Sequence, residues 1–232
     1  MAAVVKTHSA WALIIACGKS EQISSDVDTA FLQLGEQPVL AHSLVAFERS
    51  SEIDGIVVVA PKDRLDTVVG MARMFGAPKL KKIVGGAIQK TASIKAGLKA
   101  MEDVGASIVV IHEASQPCVT PTVVSEVVKN AKRYGVATAA EKLEQGVAIV
   151  PKGLKATKCL NAGPVWGIHM PVAAKLDDLS KALGLGKSAA KVDDDKFYEK
   201  LYAGAYMVQL DRFNHRIRSL ADIQIVAAAF RQ

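Results

Sequence analysis

Short runs of consecutive apolar residues recur along the chain, each followed by a stretch in which apolar residues return every three or four positions. Trp11 to Ala16 is the first run and has the character of a buried strand. Pro38 stands where it can open a helix, with Leu40, Leu44 and Phe47 on one stripe. Ile56 to Ala60 reads as a second buried strand ended by Pro61, and Asp63 to Phe75 as a helix. Lys82-Ile83-Val84 is a short strand closed by Gly85-Gly86, and Thr91 to Met101 is helical with Ile94 and Leu98 aligned. Ser107 to Ile111 is another strong strand, Pro121 pre-sets a helix running to Tyr134, and Val136 to Ala140 adds a further strand. Apolar strands alternating with helices of this length predict an α/β fold with a doubly wound, mostly parallel sheet.

From Glu141 the pattern breaks. Gly146 to Pro151 and Thr157 to Leu160 suggest two short strands around a Lys-Gly turn, a projecting β-hairpin arm within residues 141–162 of a single domain spanning 1–232. Such an arm is too thin to bury a core of its own, which suits it to dimerisation. Beyond it the sequence predicts a strand over Val165 to Met170, a helix over Pro171 to Leu183 and a glycine-rich loop, Gly184 to Gly186. Val192-Asp193-Asp194-Asp195 precedes another helix, Tyr206 to Leu210 is the last strand, and Ser219 with Asp222 forms a capping box for the final helix.

Half of the 232 residues are apolar and 22% are charged, so a sizeable core is expected. The formal charge of +6 favours anionic partners. Its basic residues are scattered, and the Lys129 to Arg133 group falls on a helix with apolar neighbours, so a solvated face fits better than a nucleic-acid surface. Cys17, Cys118 and Cys159 lack metal-ligand spacing and fit lone buried thiols in a reducing cytosol. No apolar run is long enough to span a membrane, and the first residues lack a secretory signature, so a cytoplasmic protein is expected.

In an open α/β sheet the ligand lies beyond the carboxyl ends of the central strands. Ala16-Cys17-Gly18 after the first strand is a small-residue turn at which backbone N–H groups can approach an anion; the plainer alternative is a tight strand-to-helix turn. It is neither a Walker loop nor a dinucleotide fingerprint. Glu113 follows a buried strand at the same edge, where a carboxylate can hold Mg2+ or simply face solvent. Ser93 lies near a helix start, after the Gly85-Gly86-Ala87 turn, where it could meet a phosphate. Asp193-Asp194-Asp195 fits helix-dipole complements better than a metal cluster. Arg216 and Arg218 could clamp a phosphate or lie in a solvated loop, and His112, His169 and His42 have no spacing that supports zinc.

Taken in order, several blocks resemble the cytidylyltransferases that act on 2-C-methyl-D-erythritol 4-phosphate. LIIACG from Leu13 is similar to that family's strand and Ala-Ala-Gly turn. FLQLGEQPVLAHSLVAF (Phe31 to Phe47) matches its Gly-Lys-Pro-Val-Leu segment, and GAIQKTASIKAGL from Gly86 its Gly-Gly…Arg…Ser-Val block. VVIHEASQP from Val109 matches Val-Leu-Val-His-Asp-Ala-Ala-Arg-Pro, and NHRIRSLADI from Asn214 the ending Asn-Ile-Lys-Ile-Thr. The resemblance covers nearly the whole chain. It implies a Rossmann-like nucleotidyltransferase fold and a homodimer joined through arms. It also implies CTP and a small phosphorylated alcohol as substrates, Mg2+ as cofactor, and transfer of CMP with release of pyrophosphate. Carried over residue by residue, it implies nucleotide contacts at Ala16, Cys17, Gly18, Ala87, Lys90, Ser93 and Ala114. Catalytic roles would fall to Glu113, as the metal ligand, and to Arg216.

Other positions depart from the family pattern. The family's basic Gly-x-Arg-Arg loop falls on Ser20, Glu21, Gln22 and Ile23, and its Pro-Lys-Gln segment on Asp28, Thr29 and Ala30. Two principal cations are therefore missing, and Glu21 adds negative charge beside the expected phosphates. Gln116 replaces an Arg, Asn161-Ala162 an Asp-Arg pair, and Val192 a Thr. Lys19, at a position that varies in the family, is the nearby cation able to substitute. Two readings follow: a cytidylyltransferase, or a catalytically inactive homologue that serves as a nucleotide-binding or scaffolding homodimer.

Overall fold

A computed structural model describes residues 9–24, 27–184 and 193–230. The chain start, positions 185–186 of the glycine-rich loop and Val192 lie outside the described residues. Strand β1 (Ala10–Ile15) leads through a one-turn helix (Lys19–Glu21) into two small ladders, β2 (Gln22–Ser24) with β3 (Val27–Asp28) and β4 (Gln33–Leu34) with β5 (Gln37–Pro38). Then follow α1 (Val39–Arg49), β6 (Gly55–Ala60), α2 (Leu65–Met74), β7 (Leu80–Gly85), α3 (Lys90–Lys99), β8 (Ile108–Glu113), α4 (Pro121–Tyr134) and β9 (Val136–Lys142). The hairpin β10 (Val147–Ile149) and β11 (Lys158–Leu160) forms a separate antiparallel ladder. The chain continues through β12 (Trp166–Lys175), α5 (Leu176–Ala182), α6 (Asp194–Tyr202), β13 (Tyr206–Gln209) and α7 (Leu220–Ala229).

Seven strands form one sheet in the order β13-β9-β12-β8-β1-β6-β7. Within it only β12 runs antiparallel to its neighbours. The doubly wound reading is visible in β1, where period-two alternation splits the strand between two cores. Ala10, Ala12 and Ile14 join the layer of α1, α2 and α4, whereas Trp11, Leu13 and Ile15 join the layer of α3, α5 and α6. Both faces are buried, which is why the strand reads as an unbroken apolar run.

One expected element is different. The helix predicted from Pro171 starts at Leu176, because Val172, Ala173 and Ala174 extend β12 and pair with β8 on one side and β9 on the other. Pro171 falls where the β12–β9 register shifts between His169 and Val172, a bulge at which a missing N–H leaves no ladder bond unmade. The thiol reading also needs correction. Cys17 and Cys118 are buried, but Cys159 on the hairpin is exposed. The capping box at Ser219 and Asp222 is present, and Thr120 caps α4 through a bond from the Val123 N–H.

His112 is a core residue of β8. Its Nε2 lies 3.1 Å from the Ser43 hydroxyl and its ring 5.1 Å from that of Phe47. Burial, with the positive charge of Arg216 adding to it, pulls the imidazole down to about 3. The unfolded chain takes up this proton near pH 6.5 while the folded protein does not, so stability falls as pH drops from there towards 3. His112→Gln is expected to flatten that acid-side loss. Thermal midpoints of the two proteins across the same pH window check it, and parallel curves would contradict it.

Candidate functional site

The sheet changes direction between β1 and β8: the chain moves outward from β1 through β6 to β7, then returns to place β8 on the other side of β1. Ligands of open α/β sheets lie at such switch points, beyond the strand ends. Here Gly18 leaves β1 with φ +99°, a conformation open to glycine. The segment after β7 lies directly over it. A Cβ at Gly18 would sit 3.0 Å from the Ile88 carbonyl oxygen and 3.2 Å from that of Ala87. The Lys19 N–H donates to the Ile88 carbonyl, and the Glu21 N–H to that of Gly18. These turn donors are used within the chain, and the group facing Gly18 is a pair of acceptors. Gly86 permits this closeness, since a Cβ there would lie 2.0 Å from the Cys17 sulfur.

Glu21, from the one-turn helix, points inward and is fully buried. Its carboxylate accepts the Ser115 N–H and the Ser115 hydroxyl, both at 2.9 Å. Burial raises its proton affinity, opposed by the Ser115 N–H and by the charges of Arg216 and Lys90.

Glu113, at the end of β8, is also fully buried. Lys90 Nζ meets its Oε1 and Arg216 Nη2 its Oε2. The Tyr198 hydroxyl donates to Oε1 at 3.3 Å, and the Lys90 ammonium lies 5.3 Å above the Tyr198 ring. Lys90 is placed by the start of α3, whose first N–H groups, at Lys90 and Thr91, donate to the carboxylate of Asp194 at the start of α6. Arg216 is placed by its neighbour Ile217, whose N–H donates to the Ser115 carbonyl. Burial and the nearby guanidinium of Arg216 pull the Lys90 ammonium down to about 8, against the upward pull of Glu21 and Asp194. The result is a group of two buried carboxylates and two partly buried cations.

The expected site residues are distributed unevenly. Glu113, Lys90 and Arg216 do come together, while Lys19 is exposed and is not one of the cations that pair with Glu113. Ser93 does not face an open crevice. It is buried, its hydroxyl bridges the Ala87 N–H and carbonyl, and it lies 3.5 Å from the Cys17 sulfur. Ala16 and Ala114 are buried, and their N–H groups donate to the Val59 and Ile15 carbonyls. Cys17 is buried behind Gly86, and Ala87 is exposed on the covering segment. Of the positions that lack the family's cations, Gln22 donates to Asp28 and Gln116 accepts the Met170 N–H, while Thr29 is buried with its hydroxyl unpaired. Asp193 caps α6, as its dipole-complement reading anticipated. Sequence reasoning missed Ser115 and Tyr198. A signal for Ser115 was present, because it stands where the resembled motif has Ala while an acid appears at 21.

The family model for IspD, 2-C-methyl-D-erythritol 4-phosphate cytidylyltransferase, matches residues 10–232. The chain belongs to this family. Curated relatives with that same name include one from Dehalococcoides mccartyi, 31% identical over 201 residues that cover 84% of this chain and 87% of the relative. Another, from Halalkalibacterium halodurans, is 26% identical over 218 residues, 93% of this chain and 94% of the relative. Among solved structures, 4-diphosphocytidyl-2C-methyl-D-erythritol synthase from Anaerococcus prevotii superposes with a TM-score of 0.80 at 20% identity, covering 97% of each chain. That likeness establishes the Rossmann-like nucleotidyltransferase fold with its mixed sheet. Among the described residues no helix is long and apolar enough to cross a membrane.

The resemblance implied Mg2+ on Glu113, and the residues here do not fit that ion. Mg2+ takes an octahedral shell of oxygens. Both oxygens of Glu113 face cations instead.

Removing one partner of a buried ion pair leaves the other uncompensated, at a cost of about 3–5 kcal/mol. Arg216 still faces Glu113 when Lys90 is removed, so Lys90→Met is expected to destabilise the protein by less than that amount, and its loss is expected not to add to that of Glu113→Gln. Urea unfolding of the two single variants and of the double variant measures this; a double loss equal to the sum of the single losses would show that the pair is not coupled.

Proposed function

We propose that this member of the cytidylyltransferase family is a catalytically inactive homologue that acts as a homodimeric binding or scaffolding protein. The observation that carries this reading is Glu113 held between Lys90 and Arg216. Phosphoryl chemistry on a nucleoside triphosphate needs cations free to meet the charge that grows on the leaving oxygens. In this chain the cations of the crevice are committed to carboxylates of the same chain, and Glu21 stands where the family's loop is basic. The proposed dimer would join through the hairpin of residues 141–162, which carries Ile149, Val150 and Leu154 exposed to solvent.

A second reading is favoured by the match along residues 10–232. In it the chain transfers CMP from CTP to 2-C-methyl-D-erythritol 4-phosphate or a related phosphorylated alcohol and releases pyrophosphate. Lys90 and Arg216 would then leave Glu113 to meet phosphate, and Lys19 would close over the loop.

Incubation with CTP, 2-C-methyl-D-erythritol 4-phosphate and magnesium, with pyrophosphate as the readout, separates the two. The inactive reading expects release no faster than the protein-free control. Sustained, enzyme-dependent release would replace it with the second.

A further inference from the structure

The contacts of Glu21 have the form of a ligand in a site. One residue, Ser115, supplies two donors aimed at the same point, its N–H and its hydroxyl, each 2.9 Å from a carboxylate oxygen. Behind them stand Lys90 and Arg216, whose charges both act on Glu21. Around them Glu113 and Asp194 face Lys90, Arg216 and Arg218. Take the Glu21 carboxylate away and what remains is an excess of positive charge beside two converging hydrogen-bond donors. That combination is how proteins bind oxyanions. The point lies beyond the carboxyl ends of β1 and β8, the place where this fold receives ligands.

We propose that Ser115, Lys90 and Arg216 form an oxyanion site for a phosphate group, and that Glu21 occupies it as a tethered resident. The carboxylate is delivered by the one-turn helix Lys19–Glu21, so its local concentration far exceeds that of a free anion. The site is therefore masked in the native chain. Ser115 is essential to this arrangement, because no other residue gives Glu21 a hydrogen bond among the described contacts. The inference rests on the inactive reading of the crevice and adds what holds it shut.

The test is calorimetric titration of inorganic pyrophosphate into the full chain and into Glu21→Gln, with acetate as the carboxylate control. Glu21→Gln is expected to bind pyrophosphate at least ten-fold more tightly than the native chain, with a smaller gain for acetate. Adding Ser115→Ala to Glu21→Gln should remove most of the gain. Folded Glu21→Gln with no gain for pyrophosphate would overturn the proposal, as would a gain that survives Ser115→Ala. A gain for acetate equal to that for pyrophosphate would overturn the phosphate assignment. If Glu21→Gln is unstable alone, pyrophosphate in the buffer should raise its thermal midpoint while leaving the native chain unchanged; no rise would also overturn the proposal. Turnover of CTP by the native chain would end the inactive reading, and it is read in a separate assay from this gain in affinity.

Discussion

Two buried carboxylates meet two partly buried cations at the end of the central strands, and they must neutralise one another. Burial of an isolated charge costs several kcal/mol or more, so none of the four can be left alone. Glu113 takes Lys90 and Arg216, while Glu21 takes the Ser115 donors and the fields of the same cations. Each charge comes from a different part of the chain: the loop after β1, the start of α3, the end of β8 and the segment before α7. The cluster thus ties the layers around the switch point together. On the proposed reading it also uses charge that a triphosphate would otherwise meet there.

This constraint organises the surroundings. Asp194 reaches across from α6 to cap α3, which fixes the root of Lys90. Asn214 and Gln116 hold the Met170 bulge of β12, and the next residues carry Arg216 into the crevice. The segment after β7 lies over Gly18 through the Lys19 N–H and the bridging hydroxyl of Ser93.

Much of the fold was legible because its signals are local. Buried strands such as Ile56 to Ala60 are unbroken apolar runs, and Pro121, Ser219 and Asp222 mark helix starts by chemistry that depends only on near neighbours. Pro171 misled because a proline that opens a helix and one that sits in a bulge look alike without knowledge of the pairing strand. The site was legible only in part. Glu113, Lys90 and Arg216 could be gathered from the resembled motifs, but which of them would pair with each other depends on contacts between segments far apart in sequence. Ser93 and Cys17 looked available beside glycines, and those same glycines allow the covering segment to bury them. Glu21 could be seen as a charge of the wrong sign; that it turns inward onto Ser115 needed the fold.

The most direct test is a crystal structure of the native protein grown with CTP and magnesium. The account predicts Glu113 still joined to Lys90 and Arg216, and Glu21 still on Ser115. A magnesium ion on Glu113 with the triphosphate over Gly18 would contradict it.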